Sequence, residues 1–270
     1  MTALSPRATA LTQFRLDGKT AFVSGAAGHL GRAMTSALAE AGAHVIVNGR
    51  NDERLAALES ELTSAGHEVS RAAFDVGDPD AARRFFAQRE RLDILVNNAI
   101  SMTPKPFAAL EPGDFEQTYR SSVTATFEAV RAALPALRAG VRAAGEASVI
   151  NVASMYGAVS PDKRIYSKPE QASPFHYGPA KAALLQLTRH LAAELGSESI
   201  RVNALAPGPF PCAEVAAADP GFAARLAERT MLRRTGRAGE IAGPLLFLAS
   251  PASAFVTGSS LVVDGGWTAW

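Results

Sequence analysis

Tyr177 and Lys181 stand four residues apart at the start of an apolar helical pattern that continues through Leu184, Leu187, Leu191 and Leu195. Side chains at i and i+4 share one helix face, so the phenol and the ammonium can approach each other. A cation beside a phenol stabilises phenolate and lowers its pKa towards a range useful for proton transfer. Ser154 lies 23 residues before Tyr177, just past a β-rich run at 148–152, where its hydroxyl can hold a substrate oxygen. A second cluster suits a different task. Ser24-Gly25-Ala26-Ala27-Gly28-His29-Leu30-Gly31 stands directly between a β-rich run and a helical pattern. Gly25 lets the chain turn sharply, and Gly31 lets the helix pack close to the strand. Free backbone N–H groups and the positive end of the helix dipole then face the phosphates of a dinucleotide.

These residues need a frame that brings them together. Short β-rich runs at 20–24, 44–48, 69–74, 93–96, 148–152, 201–204 and 260–263 alternate with longer helical patterns. Ile94-Leu95-Val96 and Val149-Ile150-Asn151-Val152 are apolar on both faces, as central parallel strands must be. Leu30, Ala33, Met34, Ala37, Leu38 and Ala41 follow helical spacing, and Gly42 ends that helix. The alternation predicts an α/β fold: one doubly wound domain over 1–270, with about seven parallel strands and helices on both faces. Two segments break the rhythm. Residues 158–174 carry Pro161, Pro169 and Pro174, and 207–231 carry Pro207, Gly208, Pro209, Pro211 and Pro220 before a short helix to about Met231. Loops this long are usually functional, and both belong at the carboxyl edge of the sheet, where open α/β folds bind ligands. The first is expected to border the substrate pocket while contributing little to folding. The second reads as a lid, and 1–15 as an N-terminal arm.

Composition excludes other classes. The 27 basic and 26 acidic residues nearly cancel in this 270-residue chain, which speaks against a nucleic-acid binder. A single cysteine, Cys212, allows no disulfide framework and no multi-cysteine metal site. His29, His44, His67, His176 and His190 never fall at metal-binding spacing, so no metal is expected. No uncharged apolar run approaches 18 residues, and 1–14 lacks the apolar core of a signal peptide. A cytoplasmic protein without membrane partners is expected.

Taken together the motifs resemble the short-chain dehydrogenase/reductase family over nearly the whole chain. The resemblance runs through the glycine turn at 24–31, Asp75-Val76, Asn97-Asn98-Ala99, Ser154, Tyr177 and Lys181. It continues through Arg201-Val202-Asn203, Pro207-Gly208 and Val263-Asp264-Gly265-Gly266. It implies a Rossmann-type sheet and nicotinamide-dependent interconversion of carbonyl and alcohol, as in gluconate 5-dehydrogenase-like and 3-oxoacyl reductase-like members. By that analogy Tyr177 is the acid/base, Ser154 orients the substrate oxygen, and Lys181 holds the nicotinamide ribose and lowers the pKa of Tyr177. Gly25, Gly28, His29, Leu30 and Gly31 would line the pyrophosphate, Asp75 and Val76 the adenine, and Asn97 the adenosine side. Ala99, Pro207 and Gly208 complete the cofactor site. The substrate would be a small secondary alcohol or ketone, of sugar, polyol or 3-oxoacyl type.

Several positions depart from the family pattern. His29 replaces a glycine, and serves through its backbone N–H if its φ is negative. Ile100 follows Asn97-Asn98-Ala99 where the family has glycine. Aligning Phe115 and Phe127 puts Ser122 where the family carries the asparagine of its proton relay. Cys212 stands where a threonine is common, with its backbone N–H towards the nicotinamide amide. After the second strand, Gly49-Arg50 offers no acid to a ribose 2′-hydroxyl, and Asp52 starts the next helix, so NADP(H) is preferred over NAD(H), with Arg50 on the 2′-phosphate. The resemblance implies a homotetramer built on helices at 111–137 and 177–195, with Trp267 and Trp270 buried at an interface. Arg225, Arg229 and Arg233 would form a solvated or intersubunit stripe, and Tyr166 and His176 are candidates for touching substrate. The alternative function is a cofactor-binding sensor or scaffold without turnover, for which Ser122 is the one supporting residue.

Overall fold

The computed structural model describes residues 9–167, 172–219 and 221–270. Much of the arm at 1–15, together with Pro169 and Pro220, lies outside the described residues. Seven strands form one sheet in the order β3-β2-β1-β4-β5-β6-β7, and every pairing is parallel. They are β1 (Thr20–Ser24), β2 (His44–Gly49), β3 (Val69–Ala73), β4 (Ile94–Asn97), β5 (Ala147–Val152), β6 (Ile200–Pro207) and β7 (Ser260–Val263). The expected doubly wound fold is present, and the strand order reverses between β1 and β4.

Both faces are covered because the central strands are apolar at successive positions. Ala21 and Val23 of β1 point into one core with Ile150 and Val152 of β5, while Phe22 and Val149 point into the other. The first core is closed by α1 (His29–Glu40), α2 (Asp52–Ser64) and α9 (Ala242–Ala249), through residues such as Met34, Leu58 and Leu245. The second is closed by α3 (Pro79–Ala87), α5 (Ala125–Ala144) and α6 (Tyr177–Leu195), through Phe86, Leu137 and Leu191. Truncating a side chain such as Leu38, fully buried, to alanine should cost about 2–5 kcal/mol.

Elements end where their residues dictate. The Asn51 side chain accepts from Arg54 N at the start of α2, and Asp78 accepts from Asp80 N and Ala81 N at the start of α3. Gly42 follows α1 at φ +102°, the left-handed conformation that ends helices. The long helix expected at 111–137 is built differently. α4 (Pro112–Tyr119) passes through a π-helical segment, Arg120–Thr124, into α5, which continues to Ala144. The 207–231 segment holds two short helices where one was expected, α7 (Ala213–Ala218) and α8 (Phe222–Glu228).

Candidate active site

At the carboxyl end of β1 the backbone turns through Gly25 at φ +64°. A Cβ at Gly31 would lie 2.1 Å from the Gly25 carbonyl, so only glycine lets α1 sit this close. The first-turn amides of a helix have no partner within it. Here Gly28 supplies no side-chain cap and no acidic residue occupies that turn, so the positive helix end is uncompensated. His29 is the first helical residue, and its φ is not positive. The turn is held by Asn98, whose Nδ2 donates to the carbonyls of Ser24 at 2.9 Å and Gly25 at 3.1 Å. The amides of Asn98 and Ala99 both donate to Ser24 Oγ.

Asn98 and Ser24 stand within the motifs read from sequence but were given no role of their own there, although an asparagine at a strand end is a natural donor to a neighbouring turn. Asn97 was, and the structure corrects it. Asn97 Nδ2 donates to Asn151 Oδ1 at 2.9 Å, and Asn151 Nδ2 donates to Thr188 Oγ1 at 3.0 Å. This buried polar ladder joins β4, β5 and α6, and Asn97 does not line the cleft. Alternation explains the difference, because neighbouring residues at a strand end face opposite sides.

A cleft of about 680 Å³ runs from this turn across the carboxyl edge of the sheet. Gly25, Gly28, His29, Leu30, Gly31, Arg50, Asp75, Val76, Ala99, Ser154, Tyr177, Lys181, Pro207 and Gly208 all line it; Asn97 and Ser122 do not. Arg54, Ser101, Ser121 and Phe210 line it too, and were not anticipated. At one end Arg50 and Arg54 carry guanidinium groups with no acidic partner within ion-pair distance among the described residues, whereas Asp52 is turned away onto Arg71 at 3.0 Å. The uncapped helix start, the close-packed glycines and these free cations fit a phosphate-bearing dinucleotide.

The other end holds Ser154, Tyr177 and Lys181. Ser154 follows β5 and caps the short helical turn Met155–Gly157, its Oγ accepting from Tyr156 N at 3.2 Å. Lys181 is buried, and its Nζ donates to the Val152 carbonyl at 2.6 Å. Burial lowers the Lys181 pKa to about 8. Burial also pushes the Tyr177 phenol up, and hydrogen bonding with Ser154 opposes that rise. Lys181 was expected to lower the Tyr177 pKa. Its Nζ instead sits 5.7 Å from the Tyr177 ring centroid and serves the Val152 carbonyl, so the opposing influence on Tyr177 comes from Ser154.

Ser122, the expected relay residue, lies in the π-helical segment. It is 2% exposed, and its Oγ has no hydrogen-bond partner among the described residues. Its carbonyl accepts from Thr126 Oγ1 at 2.8 Å. The neighbour Ser121 is the one that lines the cleft, donating its hydroxyl to the Ser101 carbonyl at 2.7 Å.

Beyond the cleft the two irregular segments are joined. Met155, Ile165, Leu226 and Trp267 form a small buried cluster, with Tyr166 packed on Phe222 at 5.5 Å between ring centroids. Arg225 Nε donates to the Ile165 carbonyl at 2.6 Å, while its guanidinium also pairs with Asp219. Arg229 pairs with Asp162 at 3.4 Å. Arg225 and Arg229 therefore tie the 207–231 segment to the 158–167 stretch instead of forming a free stripe, and Ile165 packs that stretch into the small buried cluster. Only Arg233 stands apart, over the Trp270 ring. Trp267 is 4% exposed within its own chain, so its burial needs no interface; Trp270 is exposed, with Nε1 donating to the Arg229 carbonyl. Tyr166 donates or accepts at Tyr156 Oη, 3.1 Å away, and His176 is wholly buried. Cys212 occupies the residue before α7, outside the cleft lining, where the local backbone first and the Cys212 thiol second hold the Glu214 carboxyl below its usual range.

Among the described residues no group of three or more histidine, cysteine or acidic side chains is gathered for a metal, and no helix is long and apolar enough to cross a membrane. The sequence profile of a family described as enoyl-(acyl carrier protein) reductase matches residues 25–268. The chain is 35% identical over 261 residues to the rhamnolipids biosynthesis 3-oxoacyl-[acyl-carrier-protein] reductase of Pseudomonas aeruginosa, covering 94% of this chain and 98% of that one. It is 33% identical over 261 residues to the gluconate 5-dehydrogenase of Gluconobacter oxydans, covering 94% and 96%. A gluconate 5-dehydrogenase from Burkholderia cenocepacia, solved in complex with NADP and tartrate, superposes with a TM-score of 0.84 at 33% identity, covering 97% of this chain and all of that one.

Proposed function

The chain belongs to the short-chain dehydrogenase/reductase family, enzymes acting on CH–OH and C=O groups, and on that premise we propose that it transfers hydride between NADP(H) and a secondary alcohol or ketone of sugar, polyol or 3-oxoacyl type. One observation carries this reading. Ser154, Tyr177 and Lys181 share one end of a cleft whose other end bears the guanidinium groups of Arg50 and Arg54, which form no ion pair among the described residues. A 2′-phosphate suits that pair of cations, and no carboxylate competes for a ribose 2′-hydroxyl there because Asp52 is held by Arg71. The NADP named with the Burkholderia structure is in keeping with this preference; NAD(H) is the weaker cofactor.

Gly25, Gly28, His29, Leu30 and Gly31 would hold the pyrophosphate, Asp75 and Val76 the adenine, and Ala99, Pro207 and Gly208 the nicotinamide half. When bound, the nicotinamide supplies or takes up the hydride. The protein handles the oxygen and its proton. In reduction, negative charge grows on the carbonyl oxygen, and a donor aimed at that atom stabilises it. Ser154 Oγ accepts from Tyr156 N, so its own proton, given to Tyr177 in this structure, can turn to the substrate oxygen when substrate binds. Tyr177 then delivers the proton to oxygen, and in oxidation takes it back. Its raised pKa keeps the phenol protonated before reduction. Lys181, at the same end of the cleft, would hold the nicotinamide ribose.

NADPH binding followed by fluorescence, then turnover of gluconate, a neutral polyol and a 3-oxoacyl thioester, tests the proposal. Tyr177→Phe removes only the hydroxyl, so NADPH binding should persist while kcat falls by about 10²–10⁴-fold. Near wild-type kcat in that variant would refute the assignment. Binding with no turnover of any substrate would return the sensor reading. Cytoplasmic location, a single domain over 1–270 and a homotetramer complete the proposal; a strictly monomeric 28.2 kDa mass in light scattering would remove the last.

A further inference from the structure

His176 immediately precedes Tyr177 and is wholly buried, yet the proposed chemistry does not use it. Its ring joins two other segments. Nε2 lies 3.3 Å from the Thr103 carbonyl, which can only accept, so Nε2 carries a proton and donates. Nδ1 lies 2.9 Å from Thr118 Oγ1 on α4, and in the neutral ring it accepts from that hydroxyl. Thr118 is itself fully buried, and Phe115 packs edge-on against the imidazole at 5.9 Å.

The three segments meeting at this ring each reach the cleft. Thr103 ends the stretch that carries Ala99 and Ser101; Thr118 precedes the turn that carries Ser121; His176 leads into Tyr177. The charged groups on the surrounding elements, Lys105 and Asp114, are paired with each other at 2.7 Å. We propose that His176 is a positioning residue: through Thr118 and Thr103 it fixes the first turn of α6 so that the Tyr177 hydroxyl meets Ser154 and the substrate oxygen. A buried imidazole with both nitrogens engaged leaves little rotational freedom to the residue beside it. Misplacement of a reacting group by about 1 Å costs on the order of 10²-fold in rate.

The test rests on the Tyr177 reading and separates from it. Thr118→Val keeps the side-chain shape but leaves Nδ1 without its donor, Thr118→Ser keeps the hydroxyl, and His176→Phe keeps bulk and removes both bonds. With NADPH and whichever of the three panel substrates turns over fastest, Thr118→Val and His176→Phe should lower kcat about ten- to hundredfold. The Kd for NADPH should stay within about twofold, because the cofactor-binding turn lies elsewhere. The pKa in the kcat profile should move upward as Tyr177 loses the Ser154 bond that opposes its burial, and Thr118→Ser should keep both wild-type values. If His176→Phe does not fold, the Thr118 pair decides alone. Folded Thr118→Val with wild-type kcat and pH profile overturns the proposal. Should Tyr177→Phe also retain activity, the proton-transfer reading fails with it; if Tyr177→Phe is inactive, only the positioning role is lost.

Discussion

Replacing Lys181 with methionine should change how stability depends on pH, in one direction only. Burial of the amine lowers its pKa from 10.5 to about 8. Below about pH 8 it is charged in folded and unfolded chains alike, and the folded state bears the full penalty of the buried charge. Between about 8 and 10.5 the folded amine has lost its proton while the unfolded amine keeps it. The unfolded state then binds more protons, so stability rises with pH across that window. The distance from 10.5 to about 8, at roughly 1.4 kcal/mol per pH unit, comes to about 3 kcal/mol. Methionine keeps an unbranched apolar stem and has no proton to lose. It also strips the Val152 carbonyl of its donor, which adds a constant offset at every pH. Urea unfolding of both proteins without cofactor, from about pH 7 to about pH 10, isolates the part that varies. Relative to Lys181→Met, the wild type should gain stability with rising pH, by up to about 3 kcal/mol. A difference that stays flat over this range would show that the site does not disfavour the charged amine.

Other consequences can be checked separately. Arg50→Asp should reverse the ratio of kcat/KM values for NADPH and NADH, and a wild type that already prefers NADH would contradict the cofactor assignment. Ser122→Asn should maintain or raise kcat if serine merely weakens a relay; a fall would show a site adapted to serine. Arg225→Met cuts both the bond to the Ile165 carbonyl and the pairing with Asp219, so amide exchange at 163–167 and along α8 should quicken together while the sheet stays protected.

Much of this molecule was legible because its strands are short, apolar and bounded by turn residues. All seven runs became strands, with ends shifted by a few residues, as at 201–204, which grew into the eight-residue β6. The glycine turn was readable because strand, turn and helix constrain one another within a few positions. Side-chain direction was not: Asn97 and Asn98 are identical in type, and only the pleat decides that Asn98 reaches the turn while Asn97 joins a buried ladder. Long-range partnerships were equally hidden. Nothing local to Arg225 or Trp267 tells that each is claimed by residues about 60 and 100 positions away, Ile165 and Tyr166 among them. The π-helical segment also escaped, since Arg120-Ser121-Ser122-Val123-Thr124 carries no proline or glycine to mark a change of helix type. The Lys181 influence on Tyr177 went astray because helix spacing gives proximity, while the backbone acceptor at Val152 took the ammonium.

The joint between the 158–167 stretch and α8 has a consequence for building hybrids of this enzyme with its relatives. A graft of the 158–167 stretch alone would carry the Asp162–Arg164 pair with it but would leave the Ile165 carbonyl without the Arg225 donor and Ile165 without its packing partners. A graft of 207–231 alone would keep the Arg225–Asp219 pair but lose the bond from Arg225 to the Ile165 carbonyl, and would leave Leu226 and Trp267 facing a gap where Ile165 belongs. The two stretches thus form one transplantable cassette despite their distance along the chain, and recombination between them should breed unstable chimeras. Altering this part of the molecule by design would then call for paired replacement, not for edits to a single loop.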